Sequence, residues 1–161
     1  MRALLLAAAL LLAGCTGGPA PVSGEVKAWS FTDTDGATHS GESSKGEPTL
    51  LFFMATWCSK CQTTAPRLTQ LHHEFMGKPL HLYTLSHDPT EDSSDLTMWK
   101  SKYNQMWPHG VDQGSATAKT FGITKQSSIV VFNKDGEEFR KWIYATPSLD
   151  ELRSAVNEAS V

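Results

Sequence analysis

Cysteine is scarce in this sequence: 161 residues contain three, at positions 15, 58 and 61. Structural zinc commonly needs two closely spaced ligand pairs, and no second cysteine pair exists to complete such a site. Charge of one sign is lacking as well. The formal net charge is −3, Lys and Arg are scattered, and no basic run or basic–aromatic interleaving occurs, which excludes a nucleic-acid surface. There is no Gly-rich phosphate loop, no G-x-S-x-G elbow and no H-E-x-x-H helix, so phosphate cradling, serine hydrolysis and zinc proteolysis have no foothold. No internal repeat is evident. What remains, with 40% hydrophobic residues, suits one compact domain and leaves little room for a second.

The chain begins "MRALLLAAALLLAGC". One Arg precedes a Leu/Ala run of about ten residues, too short for a permanent membrane span and suited to an export signal. Its ending, Leu12-Ala13-Gly14-Cys15, resembles the lipobox of bacterial lipoproteins, in which the cysteine is lipidated and becomes the mature N-terminus. The expectation is therefore a signal peptide over 1–14 and an exported protein anchored to a bacterial membrane through Cys15. Residues 15–24, "CTGGPAPVSG", are small, Gly- and Pro-rich and have nothing to bury, which predicts a flexible tether. The domain is expected over 25–161.

With Cys15 lipidated, Cys58 and Cys61 are the two thiols left in a compartment that permits disulfides. A redox pair, half of a metal site and a structural staple are the three readings. A bridge across two intervening residues closes almost no loop and restricts the unfolded chain very little, which disfavours the staple. Local context points to chemistry. "PTLLFFM" (48–54) is a short apolar run of the buried-strand type, and after the cysteines Leu68, Leu71 and Phe75 recur at helical spacing until Gly77 and Pro79. Cys58 therefore falls near a helix N-terminus, where free N–H groups and the macrodipole favour an anion such as a thiolate. Cys61, about one turn further in, is expected to be more shielded. Cys58 is the candidate nucleophile and Cys61 the resolving thiol. Lys60 adds a nearby positive charge, and Pro66 is expected to kink the helix.

Trp57-Cys58-Ser59-Lys60-Cys61, preceded by "FFMAT" and followed by Pro66, resembles the active site of the thioredoxin superfamily. The stretch from "WSFTDTDGATHS" through "KGEPTLLFFMATWCSKC" is similar to the redoxin, or TlpA-like, branch of membrane-anchored thiol-disulfide oxidoreductases, and the resemblance spans most of 26–158. Its opening fits a hairpin turning at Asp35-Gly36. Further along, "PLHLYTLS" (79–86) reads as a strand, and "DSSDLTMWKSKYN" as a helix capped near Asp92. "SATAKTFG" reads as a short helix and "SSIVVFNKDGEEFRKWI" as a strand pair about Lys134-Asp135-Gly136. Ser148 and Glu151 have the spacing of a capping box before a final helix. The expected fold is α/β: a thioredoxin fold whose mixed central sheet has helices on both faces, with an N-terminal β-hairpin extension.

The sequence departs from that family at the usual cis-proline position, which is Ser127, followed by Ser128. A cis bond before serine costs about 2.5–4 kcal/mol, so a trans loop is expected, with a reshaped docking edge and easier access to the sulfurs. Soft thiolates suit Cu(I). "LSHDPTED" (85–92) resembles a segment of Sco-type copper chaperones, which makes Cys58, Cys61 and His87 an alternative copper set, with His109 a second candidate histidine. A peroxidase of this superfamily would want Thr three residues before the attacking cysteine, and position 55 is Ala. The remaining tryptophans, Trp29, Trp99, Trp107 and Trp142, read as packing residues.

Together these features imply an extracytoplasmic thiol-disulfide oxidoreductase without a cofactor, in which Cys58 attacks a partner's disulfide and Cys61 closes the 58–61 bridge. Trp57, Lys60, Pro66, Ser127 and Ser128 are its expected supporting residues. The resemblance implies protein dithiols and disulfides as partners, a membrane electron donor, and a role in cytochrome c maturation or oxidase assembly. The alternative keeps the fold and uses the cysteines to carry copper.

Overall fold

A computed structural model describes residues 26–161. The apolar leader, Cys15 and the tether lie outside the described residues. Among the described residues no helix is long and apolar enough to cross a membrane.

In chain order the elements are β1 (Ser30–Thr32), β2 (Thr38–Ser40), β3 (Thr49–Met54), α1 (Ser59–Phe75), β4 (His81–Ser86), α2 (Ser93–Lys102), β5 (His109–Val111), α3 (Ala116–Thr120), β6 (Ser128–Phe132), β7 (Glu138–Trp142) and α4 (Leu149–Ala159). The apolar run of β3 is buried throughout because it is the middle strand of a five-stranded sheet ordered β5-β4-β3-β6-β7. It pairs parallel with β4 and antiparallel with β6, and β7 returns antiparallel to β6. The strand's period of two divides the core. Leu50, Phe52 and Met54 face Leu68, Leu71, Leu96 and Leu152 of the helices α1, α2 and α4, whereas Leu51 and Phe53 face Ala118 of α3 and Trp29 and Phe31 of the hairpin. Two parallel crossovers stepping the same way, β3-α1-β4 and β4-α2-β5, place α1 and α2 on one face, as right-handed connection requires. This is the thioredoxin fold with its hairpin extension.

The helix starts follow the capping residues. Asp92 accepts from the Ser94 and Asp95 N–H groups while Asp95 accepts from the Asp92 N–H, and Ser148 and Glu151 make the same reciprocal pair at α4. Pro66 lies inside α1, which continues past it to Phe75 as one element.

One strand escapes a sequence reading. β5 has only three residues, His-Gly-Val, with Pro108 before it and no apolar run. Its neighbours set it: it pairs parallel with β4, and the hairpin closes on its other edge, the Thr34 N–H donating to the His109 carbonyl at 2.8 Å and Asp33 bridging Gly110. Glycine is required there, since a Cβ at 110 would collide with the Phe31 ring and lie 2.7 Å from the Thr32 carbonyl oxygen.

Candidate active site

The chain leaves β3 through Ala55, whose carbonyl accepts the Cys58 N–H at 3.1 Å, and Cys58 becomes the N-cap of α1 with extended backbone (φ −74°, ψ 113°). Its Sγ takes the place a capping oxygen would hold: the Cys61 N–H donates to it at 3.2 Å. No acidic residue sits in the first turn of α1, where it would offset the positive helix end at this sulfur. Cys58 and Cys61 are joined by a disulfide with Cα atoms 5.2 Å apart. Cys61 is fully enclosed by the core and Cys58 is 6% exposed, so a reactant arriving from solvent meets Cys58 first.

A carboxylate braces the loop before the cysteines. Glu91 Oε1 accepts from both the Thr56 N–H and the Thr56 hydroxyl at 2.6 Å, and its Oε2 accepts from the buried Ser86 hydroxyl at 2.5 Å. The Gln62 side chain closes the loop from the other side by donating to the Thr56 carbonyl at 3.1 Å. Trp57 projects into solvent, 63% exposed, and its indole donates to Asp88 Oδ2 at 2.7 Å. Hydrogen bonds from the Thr90 hydroxyl and N–H, with that indole, hold the Asp88 carboxyl below the usual carboxylate range, partly opposed by desolvation. Glu91, Asp88 and Ser86 were not among the residues expected from the sequence. The available signal was topological: acidic residues just after β4 fall at the same end of a parallel pair as the residues after β3.

Beside Cys58 an open groove of about 450 Å³ is lined by Trp57, Cys58, Ser59, Lys60, Lys125, Gln126 and Tyr144. The Lys60 ammonium donates to the Tyr144 carbonyl at 3.2 Å and sits 4.3 Å from the centre of its ring, over which Lys125 also lies, at 5.0 Å. Ser127 and Ser128 stand behind this wall. The described peptide bonds are all trans, and Ser127 takes a left-handed φ of 57°. Its hydroxyl donates to the Ala145 carbonyl at 2.7 Å, the Ala145 N–H donates back to the Ser127 carbonyl at 2.9 Å, and the Tyr144 N–H donates to the Ser128 hydroxyl at 3.0 Å. The residue pair at the proline position thus fastens the segment after β7. Arg67 fastens it further on, donating to the Thr146 and Pro147 carbonyls at 2.8 Å. Pro66 is exposed on α1, away from the groove lining.

The copper set is not brought together. Among the described residues no three His, Cys, Asp or Glu side chains gather as a metal site. The reason lies in the parity of β3: the cysteines pack with Met54 on one face, and the His87 ring stands edge-on to Phe53, 6.4 Å away, on the other. Burial pushes the His87 imidazole down, against the opposing pull of Asp112, Asp88 and Glu91. His109 is inside the protein, with Nε2 2.7 Å from Gln105 Oε1 and Nδ1 2.8 Å from the Trp107 carbonyl.

Comparison with known proteins agrees with this geometry. A thiol-disulfide oxidoreductase, ResA, of Bacillus thuringiensis subsp. konkukian is 26% identical over 106 residues, which is 66% of this chain and 60% of the relative. The chain thus matches about 60% of the length of that curated relative. The soluble secreted antigen MPT53 of Mycobacterium tuberculosis is 26% identical over 151 residues, covering 92% of this chain and 85% of that one. Among solved structures, a secreted Mycobacterium tuberculosis disulfide oxidoreductase described as homologous to E. coli DsbE superposes with a TM-score of 0.70 at 25% identity, covering 81% of this chain and 95% of that chain. A Mycobacterium tuberculosis DsbF structure, at 23% identity and a TM-score of 0.73 over 82% of this chain and 95% of that one, shares the fold. A family model matches residues 22–141, well over half of the sequence, and the chain belongs to the AhpC/TSA family.

Proposed function

We propose that this protein is a thiol-disulfide oxidoreductase that reduces disulfides in partner proteins outside the cytoplasm, held at a bacterial membrane by a lipid on Cys15. The observation that carries the activity is the place of Cys58: it is the outer sulfur of the pair, and it caps a helix whose first turn has no carboxylate. In the reduced protein the Cys58 thiolate attacks one sulfur of a partner disulfide, a mixed disulfide forms, and the other partner sulfur leaves as a thiolate that takes up a proton. Cys61 then gives up its proton and attacks Cys58 Sγ. The second partner thiol leaves, and the 58–61 bond of the present structure is made. The partner gains two electrons and two protons; the protein supplies both electrons, the Cys61 proton, and the proton that Cys58 released to solvent on forming its thiolate.

Each turnover ends in the oxidised form, so a reductant must restore it; an electron donor in the same membrane fits the anchor expected at Cys15. Clients in cytochrome c maturation or oxidase assembly fit the same reading. Lys60 favours the thiolate through its charge. Trp57 shields the sulfur approach and ties the loop to Asp88. Pro66 leaves the Gln62 carbonyl without its helical donor behind the pair. Ser127 and Ser128 position the opposite wall.

The test is interception of the mixed disulfide. Cys61→Ser, reduced and mixed with a disulfide-bearing protein, is expected to accumulate a covalent adduct that dithiothreitol releases, and Cys58→Ser is expected to form none. Adducts in equal yield from both variants, or from neither, would overturn the assignment.

A further inference from the structure

The wall opposite Cys58 is built in an unfavourable backbone conformation. Tyr144 has a φ of 50° and Ser127 a φ of 57°, both left-handed. For a residue with a Cβ this region is unfavourable, and for a bulky aromatic it is rare. Such strain persists where surrounding bonds over-determine it, and it gathers at working surfaces. Here the bonds are those of Ser127, Ser128 and Arg67 to residues 144–147. Their combined effect is to stand the Tyr144 ring, 48% exposed, at the groove with the Lys60 and Lys125 ammoniums beside it.

Neither ammonium has a carboxylate within ion-pair distance among the described residues, although the molecule as a whole is acidic. Among the described residues no carboxylate lines the groove, whereas two ammoniums do; the charged Asp88 lies outside that lining, bonded to the Trp57 indole and to Thr90. The groove next to the attacking sulfur is therefore a positive patch on a negative protein, with two exposed aromatic faces, Trp57 and Tyr144, at its edges.

We infer that this groove selects partner polypeptides carrying Asp or Glu beside their reactive cysteine, with Lys60 and Lys125 steering the acidic segment onto the Tyr144 wall. The inference rests on the oxidoreductase reading and names the substrate class of that site. A polypeptide fits better than a small anion. The two ammoniums lie over one ring on long, flexible stems and do not converge on a closed pocket, an arrangement that accelerates encounter with an extended charged chain more than it cages a single group.

The experiment compares second-order rates at which the dithiothreitol-reduced domain reduces short peptides, each closed by one internal disulfide and flanked by Glu, Gln or Lys. Electrons come from the Cys58–Cys61 dithiol, and acid-quenched samples are resolved by chromatography. At low salt the Glu peptide is expected to react about tenfold or more faster than the Lys peptide, with the Gln peptide between them. Raising salt to about 0.5 M, which shortens the screening length to a few Å, is expected to bring the three rates together in the unaltered protein. Lys60→Gln/Lys125→Gln is expected to shrink the Glu-to-Lys ratio to about one at low salt, and Lys125→Gln alone to shrink it in part. Any effect of Lys60 on thiolate reactivity changes all three rates alike and cancels in the ratio.

Equal rates for the Glu and Lys peptides, or a ratio unchanged in the double variant, would overturn the inference and leave the activity standing. If glutathione disulfide loses as much rate in the double variant as the Glu peptide does, the groove serves small anions and the polypeptide assignment is wrong. If no peptide is reduced at all, the oxidoreductase reading itself fails.

Discussion

At the end of the sheet where the cysteines sit, a single carboxylate accepts three hydrogen bonds. Glu91 joins the Thr56 N–H and hydroxyl to the Ser86 hydroxyl, linking the loop after β3 to the end of β4. Removing the acceptor strands partly buried donors, each worth about 1–3 kcal/mol when unsatisfied. Glu91→Ala is expected to destabilise the domain by about 2 kcal/mol in urea unfolding, and Glu91→Gln, which keeps an acceptor for Thr56, by less than half of that. Equal losses in the two variants would contradict this role. A second residue sets a pH limit. Burial pushes the His109 imidazole down to about 4, aided by the Lys100 charge and opposed by its bond to the Trp107 carbonyl. An unfolded histidine titrates near 6.5, so between about pH 6.5 and 4 the unfolded chain binds a proton that the folded protein refuses. Stability from this group is complete above that window and falls as pH drops through it, by less than the ~3 kcal/mol of the full shift, because both ring nitrogens face acceptors, the Trp107 carbonyl and Gln105 Oε1, which favour the charged ring. Unfolding midpoints of the wild type are expected to fall more steeply from pH 7 to 4 than those of His109→Gln; parallel profiles would contradict it.

The hairpin and the sheet meet at Gly110, where β1 lies against β5. A Cβ there runs into the Phe31 ring and the Thr32 backbone, and the backbone cannot rotate aside as a flexible side chain can. Gly110→Ala is expected to cost about 1–3 kcal/mol and to loosen the hairpin first, seen as early amide exchange at Thr34, whose N–H bonds to the His109 carbonyl. Unchanged exchange at Thr34 would refute that coupling. This junction also marks where the sequence stops being legible. β3, α1 and α4 announce themselves because their own apolar pattern and caps determine them. β5 carries no such pattern; its pairing comes from residues far away in sequence. The cysteine pair was legible for the same local reason, as a strand ending, two thiols and a helix beginning within a dozen residues. Glu91, Tyr144 and Lys125 were not, because each reaches the cysteine loop from a different part of the chain and no local pattern announces it. His87 shows the converse: a plausible position after β4 was visible, and the strand parity that puts its ring on the Phe53 face was not.

Across the whole molecule the two faces of the sheet have separate tasks. One face, under α1, α2 and α4, encloses Cys61 and leaves Cys58 at its margin, and the other anchors the hairpin through Trp29, Phe31 and Tyr83. Both sets of loops at the end of β3 converge on Cys58: the Glu91 brace on one side and the Tyr144 wall on the other. The account makes this pair a working dithiol, with the rest of the domain holding its outer sulfur at a helix start. The most direct test is a redox titration of the Cys58–Cys61 pair against glutathione, read by thiol alkylation. The expected result is a reversible two-electron couple well below the roughly −180 mV of oxidising isomerases, as suits a reductant. A pair that never exchanges with glutathione, or one that equilibrates at or above that potential, would contradict it.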